Sequence, residues 1–183
     1  QETYPLKINV CNECFHVQLS VVVDPDLMFK DYLYVSGTSK TLHAYFEDFV
    51  LLCEQYSRGR RVVLDIACND GTQLHKFKDR GWKTYGVDPA KNLHKLSGIE
   101  HNVVCDYWST EIAESLHETF DAIVAQNVFA HTNDIHEFLK ACAIVTDEKS
   151  NIFIQTSQAD MIVNNEFDTI YHEHLSFFNS KSM

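Results

Sequence analysis

Between Thr38 and Tyr56 the apolar side chains fall at Leu42, Tyr45, Phe46, Phe49, Leu52 and Cys53, in steps of three and four. That spacing places them on one face of an amphipathic helix, and Thr38 or Ser39 stands where a cap is needed. From residue 61 the pattern changes to short apolar runs separated by amphipathic stretches. Arg61–Ile66, Lys83–Asp88, His101–Cys105, Phe120–Ala125 and Asn151–Ile154 read as buried strands. Helices are predicted over Thr72–Arg80, ending at Gly81, and from Pro89 to near Gly98. Two more are predicted over 109–118 and 133–144. Strands alternating with helices of this length predict βαβ units, right-handed crossovers and a parallel, doubly wound sheet. No strand run follows Ile154, so the sheet is expected to end there.

Ahead of the helix, residues 4–10 and 15–20 are short, alternating and β-rich, with Cys11-Asn-Glu-Cys14 between them. This predicts a hairpin with a cysteine knuckle at its turn. Asp24-Pro-Asp26 is expected to break that pattern.

Composition narrows the class. A chain of 183 residues suffices for one well-buried core and a small appendage. Acids outnumber bases 26 to 15, and the net charge of -11 argues against partners that are nucleic acids or anionic membranes. No run of 18 apolar residues is present, and the N-terminus lacks the basic and apolar blocks of a signal peptide. A cytoplasmic location with reduced thiols is the expectation. The first residue is Gln1 rather than Met, so the chain reads as a piece of a longer one.

In open α/β sheets ligands bind beyond the carboxyl ends of the strands, at the switch point beside the first. That end here is Asp65-Ile-Ala-Cys-Asn-Asp-Gly-Thr72, where Asp70-Gly71 offers a tight turn. A single glycine is poor for a dinucleotide pyrophosphate and acceptable for an adenosyl amino acid, which has no phosphate. The second strand ends at Asp88, placed to accept from a ribose diol. The third ends at Cys105-Asp106, an acceptor for an adenine amino group, and the fourth at Gln126-Asn127.

Two polar clusters follow. Asn127-Val-Phe-Ala-His131 lies past the fourth strand, and Phe167-Asp-Thr-Ile-Tyr-His-Glu-His-Leu175 past the fifth. The second supplies a general base, an acid and hydrogen-bond donors within four residues. If that stretch is extended, Tyr171 and Glu173 face one way while His172 and His174 face the other. A zincin helix is excluded because Ser176 stands where its second histidine is required. A metal chelated by His131, His172 and His174 is a rival reading, and a His-rich surface loop is another.

Together these stretches, with Tyr4–Leu19, Val23-Asp-Pro, Asp31–Ser39 and Gly86-Val-Asp-Pro-Ala90, resemble the nucleotide-sugar C-methyltransferases over nearly the whole chain. The resemblance implies a Rossmann-like class I methyltransferase core with strand order 3-2-1-4-5 over residues 36–183, truncated at its C-terminal end. A partial zinc-ribbon-like hairpin over 1–35 precedes it. It implies S-adenosyl-L-methionine as cofactor, held by Asp65, Ala67, Cys68, Asn69, Asp70, Gly71, Asp88, Asp106 and Asn127. The implied substrate is a nucleoside-diphosphate 4-keto-deoxysugar, methylated at C3. His174 then matches the general base, with Tyr171, Glu173 and His131 around the sugar, and Tyr34, ahead of Tyr32, lining the pocket. The family's zinc has four cysteine ligands, whereas Cys11 and Cys14 supply half of such a site. Ala67 stands where the family has glycine, and Phe15 replaces another glycine after Cys14. A small-molecule O- or N-methyltransferase and a non-catalytic S-adenosylmethionine-binding module remain the alternatives.

Overall fold

In the computed structural model, which describes residues 3–166 and 169–183, the elements follow the predicted alternation. The chain opens with β1 (Ile8–Val10), β2 (Val17–Leu19) and a short helix, α1 (Pro25–Phe29). A 3-10 turn at Ser36–Thr38 leads into α2 (Lys40–Tyr56). The core then runs β3 (Val62–Ile66), α3 (Thr72–Asp79), β4 (Lys83–Val87), α4 (Lys91–Ser97) and β5 (Asn102–Val104). It continues with α5 (Thr110–Ser115), β6 (Ala122–Gln126), α6 (Ile135–Ile144) and β7 (Asn151–Gln155). Last come α7 (Asp160–Val163) and β8 (Ser176–Phe177).

Every residue of β3 is buried, and the period of two sorts its side chains onto both sheet faces. Val62, Leu64 and Ile66 join Ile123 and Ala125 of β6 in a cluster covered by Ala113 of α5 and Phe138, Ala141 and Cys142 of α6. Val63 joins Ala122 and Val124 on the other face, beneath Val50 and Cys53 of α2 and Leu74 and Phe77 of α3. A strand apolar on both faces must lie inside a parallel sheet. The observed order, β5-β4-β3-β6-β7, all parallel, is the predicted 3-2-1-4-5. Cys53 and Cys142 are core residues, as their helix faces suggest.

Local chemistry explains where the boundaries differ. Ser39, not Thr38, caps α2, its hydroxyl accepting from the Leu42 N–H at 3.3 Å. Asp24-Pro-Asp26 ends the hairpin by starting α1: Asp24 accepts from the Asp26 N–H at 2.9 Å, and Pro25 occupies the first turn. Pro89 does not open α4. Asp88 takes the Ala90 N–H at 2.8 Å, and the helix starts two residues after the proline. The strand expected from Phe120 begins at Ala122, because the Asp121 carboxylate receives the Val62 N–H at 3.0 Å.

The parallel sheet ends at the fifth strand, as expected, but a further strand does follow it in the chain and joins another sheet. Ser176–Phe177 pairs antiparallel with β2, with Val17 opposite Phe177 and Gln18 opposite Ser176. The N-terminal hairpin therefore shares a sheet, β1-β2-β8, with the residues that follow His174. Two residues are too short a run for periodicity to reveal.

Candidate functional site

A cavity of about 880 Å³ opens at the carboxyl ends of β3, β4, β6 and β7. The strap after the hairpin lines its far side through Pro25, Met28, Phe29, Tyr32, Tyr34 and Ser36. That strap is tied to the β3–α3 loop by reciprocal bonds. Asn69 Oδ1 accepts the Ser36 N–H at 3.0 Å, Asn69 Nδ2 donates to the Tyr34 carbonyl at 3.0 Å, and Asp70 accepts the Gly37 N–H at 2.9 Å.

The β3–α3 loop turns sharply. Ala67 and Asn69 adopt φ of 63° and 53°, and Gly71 follows at 83°. Asn tolerates this left-handed region through local side-chain bonding, whereas alanine carries a steric cost there. Ala67 thus occupies a backbone position that suits glycine. At Gly71 a Cβ would lie 3.2 Å from the backbone of Ser97. Asp88 locks the loop to β4: its carboxylate accepts the Asn69 N–H and the Ala90 N–H, each at 2.8 Å. It is 6% exposed, and burial raises its pKa against the opposing pull of those two N–H groups. Asp65, also buried and lining the cavity, is pushed well above the usual carboxylate range by burial and then by the charge of Asp88. Cys68 is packed within the fold, and burial drives its thiol upward, away from reactivity.

The other expected cofactor residues divide. Asp65, Ala67, Cys68, Asn69, Asp88 and Asn127 line the cavity. Asp70 and Gly71 shape the turn, Asp70 accepting the Thr72 N–H at 3.1 Å. Asp106 is exposed and outside the lining: its carboxylate accepts the N–H of Tyr107 at 2.8 Å. Tyr107, Trp108 and Glu137 line that side instead. Strand-end logic reached Asp106 and missed the aromatic pair beside it, since a local turn captured the carboxylate.

The stretch past the fifth strand is a turn, not an extended segment, and Phe167 and Asp168 lie outside the described residues. The predicted alternation of faces is therefore replaced. Tyr171, Glu173 and His174 all line the cavity, while His172 does not. His174 Nδ1 stands 2.8 Å from the Thr169 carbonyl oxygen, and its Nε2 is 3.0 Å from the Tyr171 hydroxyl. A carbonyl can only accept, so the proton sits on Nδ1 and Nε2 is the free base, receiving the Tyr171 O–H. Tyr32 donates to Glu173 Oε2 at 3.0 Å, whereas Tyr34 is 52% exposed and held by its carbonyl. Tyr32 is therefore the one joined to the cluster. His131 stacks on Phe29 at 5.7 Å and meets His174 at 5.0 Å between ring centroids. Burial lowers its pKa to about 4, so it is a neutral imidazole, and its Nε2 has no partner among the described residues.

Among the described residues no group of three or more His, Cys, Asp or Glu is arranged for a metal ion. This overturns the rival chelate of His131, His172 and His174. Cys11 and Cys14 are free thiols at the hairpin turn, and the nearby His16 faces Ser176 and Ser182 at 3.2 and 3.3 Å. Two thiols do not make a closed zinc site, so the described residues do not fit structural zinc. Nor is any helix among them long and apolar enough to cross a membrane.

Residues 39–183 match a family model described as a methyltransferase domain. The chain is 29% identical over 189 aligned residues to C-methyltransferase NovU of Streptomyces niveus, covering 98% of this chain and 44% of that protein. It is 31% identical over 104 residues to the ubiquinone biosynthesis O-methyltransferase of Hahella chejuensis, covering 54% of this chain and 43% of that one. The chain thus spans less than half the length of these relatives. Among solved structures, a SAM-dependent methyltransferase from Archaeoglobus fulgidus superposes with a TM-score of 0.61 at 23% identity, over 75% of this chain and 63% of that one. The plantazolicin methyltransferase BpumL in complex with SAH gives 0.56 at 18% identity, over 70% and 52%. At such identities the structural likeness shows a shared fold. With the family model covering most of its length and the parallel sheet carrying the class I order, this chain belongs to the methyltransferase-domain family.

Proposed function

We propose that the cavity binds S-adenosylmethionine and that the protein methylates a carbon atom, C3 of a nucleoside-diphosphate 4-keto-deoxysugar. Residues 36–183 carry the cofactor-binding unit and residues 1–35 the appended hairpin. The observation that carries the carbon assignment is the His174 tautomer. With Nδ1–H spent on the Thr169 carbonyl, Nε2 is an acceptor facing the same cavity as Asp88. A heteroatom substrate needs no carbon base. The likeness to NovU supports the same reading, and the likeness to the ubiquinone O-methyltransferases supports the alternative.

The residues fit an adenosyl amino acid. Each Asp88 oxygen has a lone pair left after its backbone bond, enough for a ribose diol. Asp65, Asp88, Asp134, Glu137 and Glu173 line the cavity, and among its described lining residues there is no Lys or Arg. Such a lining suits a sulfonium and an ammonium and opposes a pyrophosphate. The diphosphate of a nucleotide sugar must accordingly be held outside this lining.

The cofactor supplies an electrophilic methyl group. The chain's own residues do the rest. His174 Nε2 removes the C3 proton, which the adjacent ketone acidifies. With substrate bound, the Tyr171 O–H turns from His174 Nε2 to the ketone oxygen, which frees the base, and it joins the neutral His131 as a donor toward the oxyanion that develops there. Such preorganised donors are worth about 3–4 kcal/mol each in comparable sites. The test is solvent exchange. Incubated in deuterium oxide with a 4-keto sugar nucleotide, the protein should exchange the C3 proton, and His174→Gln should abolish the exchange. Methylation without exchange, surviving in His174→Gln, would assign the protein to heteroatom transfer instead.

A further inference from the structure

We infer that Gln73 recognises the α-carboxylate of the cofactor's amino-acid end, as a neutral donor in place of the cation that usually neutralises such a group. This deepens the cofactor reading above and rests on it. Gln73 sits in the first turn of α3, on the face that also carries Leu74 and Phe77. A glutamine on an apolar helix face is costly unless its amide is satisfied. It is 5% exposed, and its Nε2 has no hydrogen-bond partner among the described residues. It lines the cavity together with Asp65 of β3 and with Thr41 and Tyr45 of α2.

The chemistry of the lining identifies the ligand group. An adenosyl amino acid brings three polar ends: a ribose diol, an ammonium and a carboxylate. Asp88 suits the first, and Asp65, an acceptor, suits the second. The carboxylate needs donors, and no Lys or Arg is present among the described lining residues. The two N–H bonds of the Gln73 amide can supply that need without placing a fixed cation beside a sulfonium. The same residue thus has an unmet donor, and the ligand an unmet acceptor.

Calorimetry with two ligands isolates the contact: S-adenosylmethionine and its decarboxylated analogue, which lacks only the carboxylate. Wild type should bind the intact cofactor more tightly. Gln73→Leu, which conserves volume, should weaken the intact cofactor on the order of 10- to 100-fold, the range for a hydrogen bond to a charged group. It should leave the analogue's affinity unchanged. Gln73→Glu should weaken the intact cofactor further while sparing or improving the analogue. Equal losses for both ligands, or a wild type that does not distinguish them, would overturn the assignment and leave Gln73 a packing residue. A wild type that binds neither ligand would instead remove the cofactor reading itself. Unlike the mutant arms, the wild-type comparison does not depend on any variant folding.

Discussion

Replacing Ala67 by glycine should stabilise the protein, although it deletes a half-buried methyl group. Ala67 adopts φ of 63° at the first bend after β3. The left-handed region costs a non-glycine L-residue about 1–2 kcal/mol. Against that gain, glycine adds unfolded-chain entropy worth about 0.4–1 kcal/mol. The net expectation is a stabilisation of about 0.5–1 kcal/mol, which for a chain of this size raises the melting temperature by roughly 2–4 °C for each 1 kcal/mol. The Ala67 N–H bond to the Val87 carbonyl, at 2.7 Å, is a backbone bond that glycine keeps. Urea melts of Ala67→Gly should be read beside Ala113→Gly, a control in the α5 interior where Ala113 is buried. The control should lose about 1 kcal/mol or more. If Ala67→Gly fell with the control, the strain argument would be wrong, and the methyl group would be shown to contribute packing that outweighs its backbone cost.

Other outcomes follow from the buried titrating groups. Asp65 has its pKa raised by burial, so its acid form is favoured in the fold. The stability it contributes is present at low pH and declines as pH rises above the ordinary Asp value. Asp65→Asn should therefore melt higher than wild type at pH 8, by an amount that shrinks toward pH 4, while binding cofactor more weakly. An equal melting difference at both pH values would contradict this. His131 has the opposite effect: burial lowers its pKa from 6.5 to about 4, so the folded state resists protonation. Stability should fall as pH drops through that window, by up to about 3 kcal/mol for the whole shift. His131→Gln should flatten this limb, leaving a smaller slope from His101, which burial also lowers to about 4. An unchanged slope in His131→Gln would refute the assignment.

Much of the sheet was legible because its strands are apolar on both faces and its helices amphipathic, so period and strand ends agree. Asp88 was legible for the same reason, as a polar residue at the tip of a buried run. What escaped was decided by contacts distant in sequence. Ser176–Phe177 is a strand because β2 lies beside it. The turn that brings Tyr171 onto His174 was hidden, since Tyr-His-Glu-His is compatible with an extended run as well. Tyr32 rather than Tyr34 reaches Glu173 because the strap is fixed by Asn69 and Asn92, whose amides hold the carbonyls of Tyr34 and Tyr32. Gln73 did leave a signal, a lone amide on an apolar helix face, beside the loop already singled out.

The central claim is that the carboxyl ends of these parallel strands form the seat of a methyl donor, and titration calorimetry with S-adenosylmethionine tests it most directly. Wild type should bind at a single saturable site. Asp88→Asn, with folding verified by circular dichroism, should bind at least about tenfold more weakly, since the amide keeps one acceptor and loses the charge. No binding by wild type, or the same affinity in both proteins, would contradict the account.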